Sequence, residues 1–143
     1  MRDTVYDTSF VAYSNGELAG RKANNVLDRR LSKIEEFVEG KRVAWYNDKL
    51  LGEYRDKVRR TRNDVIETFL IRLADAGRRA ARSRLSRTNY AKALKAQWPS
   101  HDQHLLAAAI EGTRATIFVT EKVLEDCAKS AKREFGFSVV RIA

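Results

Sequence analysis

Short apolar runs alternate with longer amphipathic stretches along this chain, and no tight-turn signal joins one run directly to the next. Strands that cannot be joined by hairpins pair in parallel, through helical crossovers that cover both faces of the sheet. The runs are Val5 to Val11, Arg42-Val43-Ala44-Trp45-Tyr46, Thr116-Ile117-Phe118-Val119-Thr120 and Phe137-Ser138-Val139-Val140-Arg141-Ile142. Between them, apolar positions at Leu27, Leu31, Ile34 and Val38 predict a helix from about Glu17 to Glu39, closed by Gly40. Asn47 is a good N-cap for a helix running to about Arg60, and Val65, Ile66, Phe69, Leu70 and Leu73 make one stripe of a helix from Asn63 to about Ala76. Ser100 and Gln103 have the spacing of a capping box before Leu105-Leu106-Ala107-Ala108-Ala109-Ile110, and a last helix is predicted from about Val123 to Phe135. The expected fold class is therefore α/β, a three-layer α/β/α domain with a central, mainly parallel sheet of four or five strands.

A chain of 143 residues with 43% hydrophobic content has enough apolar material for one core, so residues 1–143 are expected to form a single domain. The lone cysteine, Cys127, excludes an internal disulfide and a cysteine-based zinc cluster, and it suits a reducing compartment. A cytoplasmic location is the expectation. The N-terminus runs into a strand without a charged leader, and no apolar stretch approaches the roughly 20 residues of a membrane span, so no membrane partner is expected.

The net charge of +9 is concentrated in the middle of the chain. Residues 54–95 hold 13 basic against four acidic residues, and the remainder balances. A local excess of this kind attracts a polyanion, most commonly nucleic acid, although a solvated helical face or an acidic protein partner gives the same pattern. Arg78, Arg79, Arg82, Arg84 and Arg87 are the candidate nucleic-acid-binding residues. The segment from Arg78 to Lys95 reads equally as helix or as part loop; if it is helical, Arg78, Arg82 and Arg79 share a face.

Three acids stand where a sheet edge could gather them. Asp7 follows a strand, Glu53 lies on the helix after the second strand, and Asp102 opens the helix before the third. Carboxylates converging from distant segments make a divalent-metal site. Each also has a plainer explanation: Asp7 as a turn residue, Glu53 as an ion-pair partner of Lys57 four residues on, Asp102 as a first-turn acid favoured by the helix dipole. Asp102 nevertheless falls in line with Leu106 and Ala109, on the face its helix buries, where an uncompensated carboxylate costs several kcal/mol.

These residues resemble the PIN domain nuclease family. The resemblance lies in Val5-Tyr6-Asp7-Thr8-Ser9-Phe10-Val11, in Tyr46-Asn47-Asp48-Lys49-Leu50-Leu51-Gly52-Glu53-Tyr54, in Asp102-Gln103-His104-Leu105-Leu106-Ala107-Ala108-Ala109 and in the closing strand–helix–strand from Thr116 to Val140. It covers roughly residues 4–60 and 100–142. The resemblance implies a PIN-like domain and Mg²⁺- or Mn²⁺-dependent endoribonuclease activity, and many small members are toxins of toxin–antitoxin pairs. The implied partners are an RNA substrate, an antitoxin protein and a second copy in a homodimer. Asp7, Glu53 and Asp102 are the implied metal-binding and catalytic residues, with Thr8, Ser9 and Thr120 supporting them. No His or Cys nucleophile is then required.

Two departures accompany the resemblance. The family's fourth acid would fall at Lys122; from the predicted stripe Leu124, Ala128, Ala131, Phe135, Glu121 sits at the edge and Lys122 nearly opposite, so Glu121 is the better fourth catalytic and metal-binding residue and Glu125 the second choice. In addition, a basic helical segment of about 62–97 is inserted between the second and third acidic motifs. The alternative function is a non-catalytic nucleic-acid- or protein-binding module on the same fold. His101 and His104 make a poor zinc site without a third ligand and read as polar neighbours of Asp102, while Trp45, Tyr46 and Trp98 are either core or base-stacking residues.

Overall fold

The structure, a computed structural model, describes residues 2–16 and 25–142. Among them are five strands, β1 (Arg2–Tyr6), β2 (Arg42–Tyr46), β3 (Arg78–Arg79), β4 (Thr116–Val119) and β5 (Ser138–Arg141). All neighbours pair in parallel, in the order β3-β2-β1-β4-β5. The helices are α1 (Thr8–Tyr13), α2 (Asn25–Val38), α3 (Asp48–Lys57), α4 (Asp64–Ala76), α5 (Arg87–Lys95), α6 (Gln103–Ile110), α7 (Lys122–Asp126) and α8 (Ala128–Phe135). They flank the sheet in the three-layer α/β/α arrangement expected of the sequence.

Alternate residues of β1 show how the layers are built, because successive side chains leave opposite faces. Tyr6 stacks on Phe118 at 5.6 Å, meets Phe69 of α4 edge-on at 5.6 Å and donates its hydroxyl to the Lys33 carbonyl of α2 at 2.6 Å. An aromatic core thus joins β1, β4, α2 and α4. On the same face Arg42, buried at the start of β2, is compensated by a close ion pair with Glu36 and lies 5.0 Å from the Phe118 ring centroid. On the other face, Asp3 accepts from Trp45 Nε1 at 2.9 Å and from the Thr113 amide at 2.7 Å.

Several expectations are corrected. Only Arg2–Tyr6 of the first apolar run is strand; from Thr8 the chain turns into α1, which buries Phe10 and Val11. Of the helix expected from Glu17 to Glu39, residues 17–24 lie outside the described residues, and α2 covers the rest to Val38. The predicted capping box does not form. Ser100–Asp102 is a 3-10 turn without a side-chain cap, and Trp98 Nε1 instead holds the Asp102 carbonyl at 2.8 Å. The last helix is broken at Cys127 into α7 and α8.

The basic segment takes the part-loop alternative, since Arg78 to Ser86 is not helical, and the inserted stretch of about 62–97 is helical only in α4 and α5. Gly77 ends α4 where a Cβ would meet the Leu73 carbonyl at 2.4 Å, and the chain then enters the short edge strand β3. Helix resumes only at Arg87, capped by the Ser86 side chain on the Asn89 amide. Arg78, Arg79 and Arg82 therefore do not share a helical face.

Candidate metal centre

The order of the sheet reverses between β1 and β4: the chain adds β2 and β3 on one side of β1, then β4 and β5 on the other. In open parallel sheets such a switch point leaves a crevice beyond the C-terminal strand ends. Asp7 follows β1 there and donates its amide to the Phe118 carbonyl of β4 at 2.9 Å, while Thr120 follows β4. Asp7, Thr8, Ser9, Ala12, Tyr13, Glu53, Lys57, Asp102 and Glu121 line one cleft of about 340 Å³ at this place.

Each acid arrives on a locally specified element. Asn47 caps α3 by accepting from the Leu50 amide at 3.0 Å, and its amide group donates to the His104 carbonyl at 2.9 Å and the Arg82 carbonyl at 3.3 Å. One buried side chain therefore fixes the helix carrying Glu53 against the helix that follows Asp102. Asp102 is the N-cap residue of α6, and Glu121 that of α7.

The supporting hydroxyls occupy distinct places. Ser9 Oγ donates to Asp7 Oδ2 at 3.0 Å and stands 2.7 Å from Thr120 Oγ1, whereas Thr8 Oγ1 donates to Glu53 Oε1 at 3.0 Å. Glu53 is also 2.6 Å from His104 Nε2, in an alignment that does not make a hydrogen bond. The sequence had placed His104 beside Asp102. Being buried, it faces Glu53, and burial holds its pKa below the ordinary imidazole value against the pull of that carboxylate. His101 is the neighbour of Asp102, at 3.2 Å from Oδ2.

Electrostatics binds the acids into one unit. The Asp7 carboxyl is raised from 3.8 to about 7, first by burial and then by Asp102, with Glu121 adding and the Ser9 and Thr8 hydrogen bonds opposing. Asp102 is raised by burial, and Glu121 and Glu53 add to it against His101 and Lys49. Its Oδ2 is buried, and His101 Nε2, although 3.2 Å away, is not aligned to donate a hydrogen bond to it. Among the described residues no three His, Cys, Asp or Glu side chains already stand at metal-ligand spacing, so the acids face one cleft without converging on a point.

The donor set nevertheless fits a hard divalent cation: every acid offers oxygen, and a buried carboxylate oxygen without a donor is the group a cation would satisfy. Glu121 lines the cleft; Glu125 lies 3.6 Å from Arg141 in an ion pair and is not among the lining residues. Lys122 pairs with Asp126 at 3.1 Å. Lys57 and Tyr13 are cleft residues that the sequence did not single out for this site: Lys57 reads as an ion-pair partner of Glu53, and the place of Tyr13 is hidden because the start of α1 reads as strand.

The arginines are exposed, but not alike. Arg79 grips Asp48 with two bonds of 2.8 and 2.7 Å, and Arg78 lies 5.9 Å from the Trp45 ring centroid. Arg82, Arg84 and Arg87 have no ion-pair partner among the described residues. Trp98 is buried, which makes it core rather than a stacking surface.

No protein-family model, curated protein or solved structure matches the chain. Among the described residues no helix is long and apolar enough to cross a membrane.

Proposed function

We infer that the chain is a PIN-like, Mg²⁺- or Mn²⁺-dependent endoribonuclease. The observation that carries this is the gathering of Asp7, Glu53, Asp102 and Glu121, from four separate segments, around one cleft at the switch point of a parallel sheet, with a donorless buried oxygen on Asp102. Structural carboxylates are ordinarily paired with Lys or Arg; here burial raises Asp7 and Asp102, and neighbouring acids add to the rise, Asp102 and Glu121 on Asp7 and Glu121 and Glu53 on Asp102.

Asp7, Asp102, Glu53 and Glu121 would hold the cation. When bound, it offsets charge on the phosphate and acidifies water so that it can attack phosphorus. The chain's own residues set the stage. Ser9 keeps Asp7 oriented and favours its ionised form, and Thr8 does the first of these for Glu53. His104, whose pKa burial holds below the ordinary imidazole value against the pull of Glu53, stands 2.6 Å from that carboxylate and limits its freedom on that side. Exposed arginines on the segment after β3, which passes beside the start of α3 through the Asn47 and Ser83 contacts, supply attraction for a polyanion.

The test is incubation of labelled RNA and single-stranded DNA with Mn²⁺, with Mg²⁺ and with chelator. Cation-dependent shortening of RNA is the expected result. Binding without cleavage under every condition would replace the nuclease by a non-catalytic nucleic-acid-binding module.

A further inference from the structure

Tyr13 is an exposed aromatic at the lip of the acidic cleft, with 61% of its surface accessible. No hydrogen bond or ring contact among the described residues engages its ring. Its backbone, in contrast, is held from several sides. Arg30 donates to the Tyr13 carbonyl at 3.0 Å, Asn63 donates to the Ser14 carbonyl at 2.9 Å, and Asn15 both donates to the Arg60 carbonyl at 2.8 Å and accepts from the Arg62 amide at 2.7 Å. An exposed ring on a fixed backbone is preorganised to receive a flat partner, because little backbone ordering remains to be done on binding.

Lys57 is on the same lip. The sequence offered Glu53 as its ion-pair partner, but Glu53 is engaged by Thr8 and His104, and no carboxylate among the described residues pairs with Lys57. Arg60 and Arg62, both exposed, follow where Asn15 ties the two segments together. The cleft is thus lined by the buried Asp7 and Asp102 together with an exposed ring and an exposed ammonium.

We propose that Tyr13 is the stacking platform for one unpaired base and Lys57 the contact for the adjoining phosphate, so that the cleft takes single-stranded rather than duplex nucleic acid. This rests on the nuclease reading for the acids, but only the rim carries it. A base inside a duplex has both faces covered by its neighbours and cannot lie on Tyr13 without leaving the stack, whereas a single strand presents its bases freely. An exposed ring and an exposed cation lining one cleft match the alternation of base and phosphate along such a strand.

The experiment measures binding of a labelled single strand of about 12 nucleotides, and of the same sequence as a duplex, in chelator. The proteins are the wild-type chain, Tyr13→Ala, Tyr13→Phe and Lys57→Gln, each with its melting curve. Tyr13→Ala should weaken single-strand binding at least about tenfold, Tyr13→Phe should stay within about twofold, and Lys57→Gln should flatten the log–log salt slope by about 0.7. The duplex should bind more weakly and be indifferent to Tyr13→Ala. Equal single-strand binding by Tyr13→Ala, or an equal loss on duplex, overturns the proposal. Cleavage in Mn²⁺ separates it from the nuclease reading. Tyr13-dependent binding without cleavage overturns the nuclease alone, cleavage undisturbed in Tyr13→Ala overturns the stacking platform alone, and no nucleic-acid binding overturns both.

Discussion

Asp7 is where the cost of the site is most concentrated. Its carboxyl, raised from 3.8 to about 7, binds a proton more tightly in the folded chain than in the unfolded one. Stability in chelator should therefore be highest below the unfolded value, fall as the pH rises from 3.8 toward about 7, and level off above it. The effect is on the order of 3 kcal/mol at most, since part of the shift is relieved by solvent at the cleft. Asp7→Asn should remove this slope and be more stable than wild type at pH 8, as measured by urea unfolding at a series of pH values; a variant with the wild-type slope would show that Asp7 is not the strained group. Ser9→Ala should act in the opposite sense. It removes the hydrogen bond that opposes the rise, so the window of falling stability should extend to higher pH. At this scale the sequence was informative about which acids meet at one cleft. Asp7, Glu53 and Asp102 were legible because strand ends and helix starts are set by local patterns, and the hydroxyls beside Asp7 were legible by adjacency. Which hydroxyl serves which acid was not, because Thr8 and Ser9 diverge only once Phe10 and Val11 have wound the chain into α1.

At the scale of elements, the sequence is right about the Asn47 cap and wrong about the Ser100 capping box and the short runs. Asn47 accepts from the amide three residues on, as its sequence context implies, and Asn63, at the expected helix start, does the same, whereas α1 and β3 carry no signal of their own. A six-residue apolar stretch has no period long enough to tell helix from strand, and a two-residue edge strand made of arginines carries no apolar signal. The basic segment reads equally as helix or as part loop, and long-range contacts decide it: Gly77 and the pairing of Arg78 and Arg79 with β2 keep its first half out of helix. Its arginines consequently divide into two kinds. Arg84→Gln and Arg87→Gln should each flatten the salt dependence of RNA binding by about 0.7 in log–log slope, while Arg79→Gln, already neutralised by Asp48, should not. Uniform effects across the three would mean that the Asp48 pair opens on binding. Asn47→Ala tests the joint between elements. Losing a cap and two donors to buried backbone should cost about 2–3 kcal/mol by urea unfolding and lower cleavage as well, because α3 and α6 carry Glu53 and His104. A loss of stability with full cleavage would separate the joint from the site.

For the whole molecule, topology decides where chemistry can occur. The parallel order β3-β2-β1-β4-β5 leaves its crevice between β1 and β4, and three of the four acids enter it from helix starts or strand ends while Glu53 reaches it from the second turn of α3. The sequence pattern was sufficient for the strand–helix alternation and the parallel pairing, since neither depends on long-range detail. It could not give the distance between the acids, which depends on packing of α3 and α6 through Asn47, nor the presence of Tyr13 at the rim. The central claim, that these acids form a cation-dependent cleavage site, is tested most directly by cleavage of one labelled RNA in Mn²⁺ by the wild-type chain and Asp102→Asn side by side. Wild type should yield cation-dependent products, and Asp102→Asn should yield none above the chelator control while melting cooperatively at or above the wild-type temperature. A folded Asp102→Asn that cleaves as well as wild type would contradict the account.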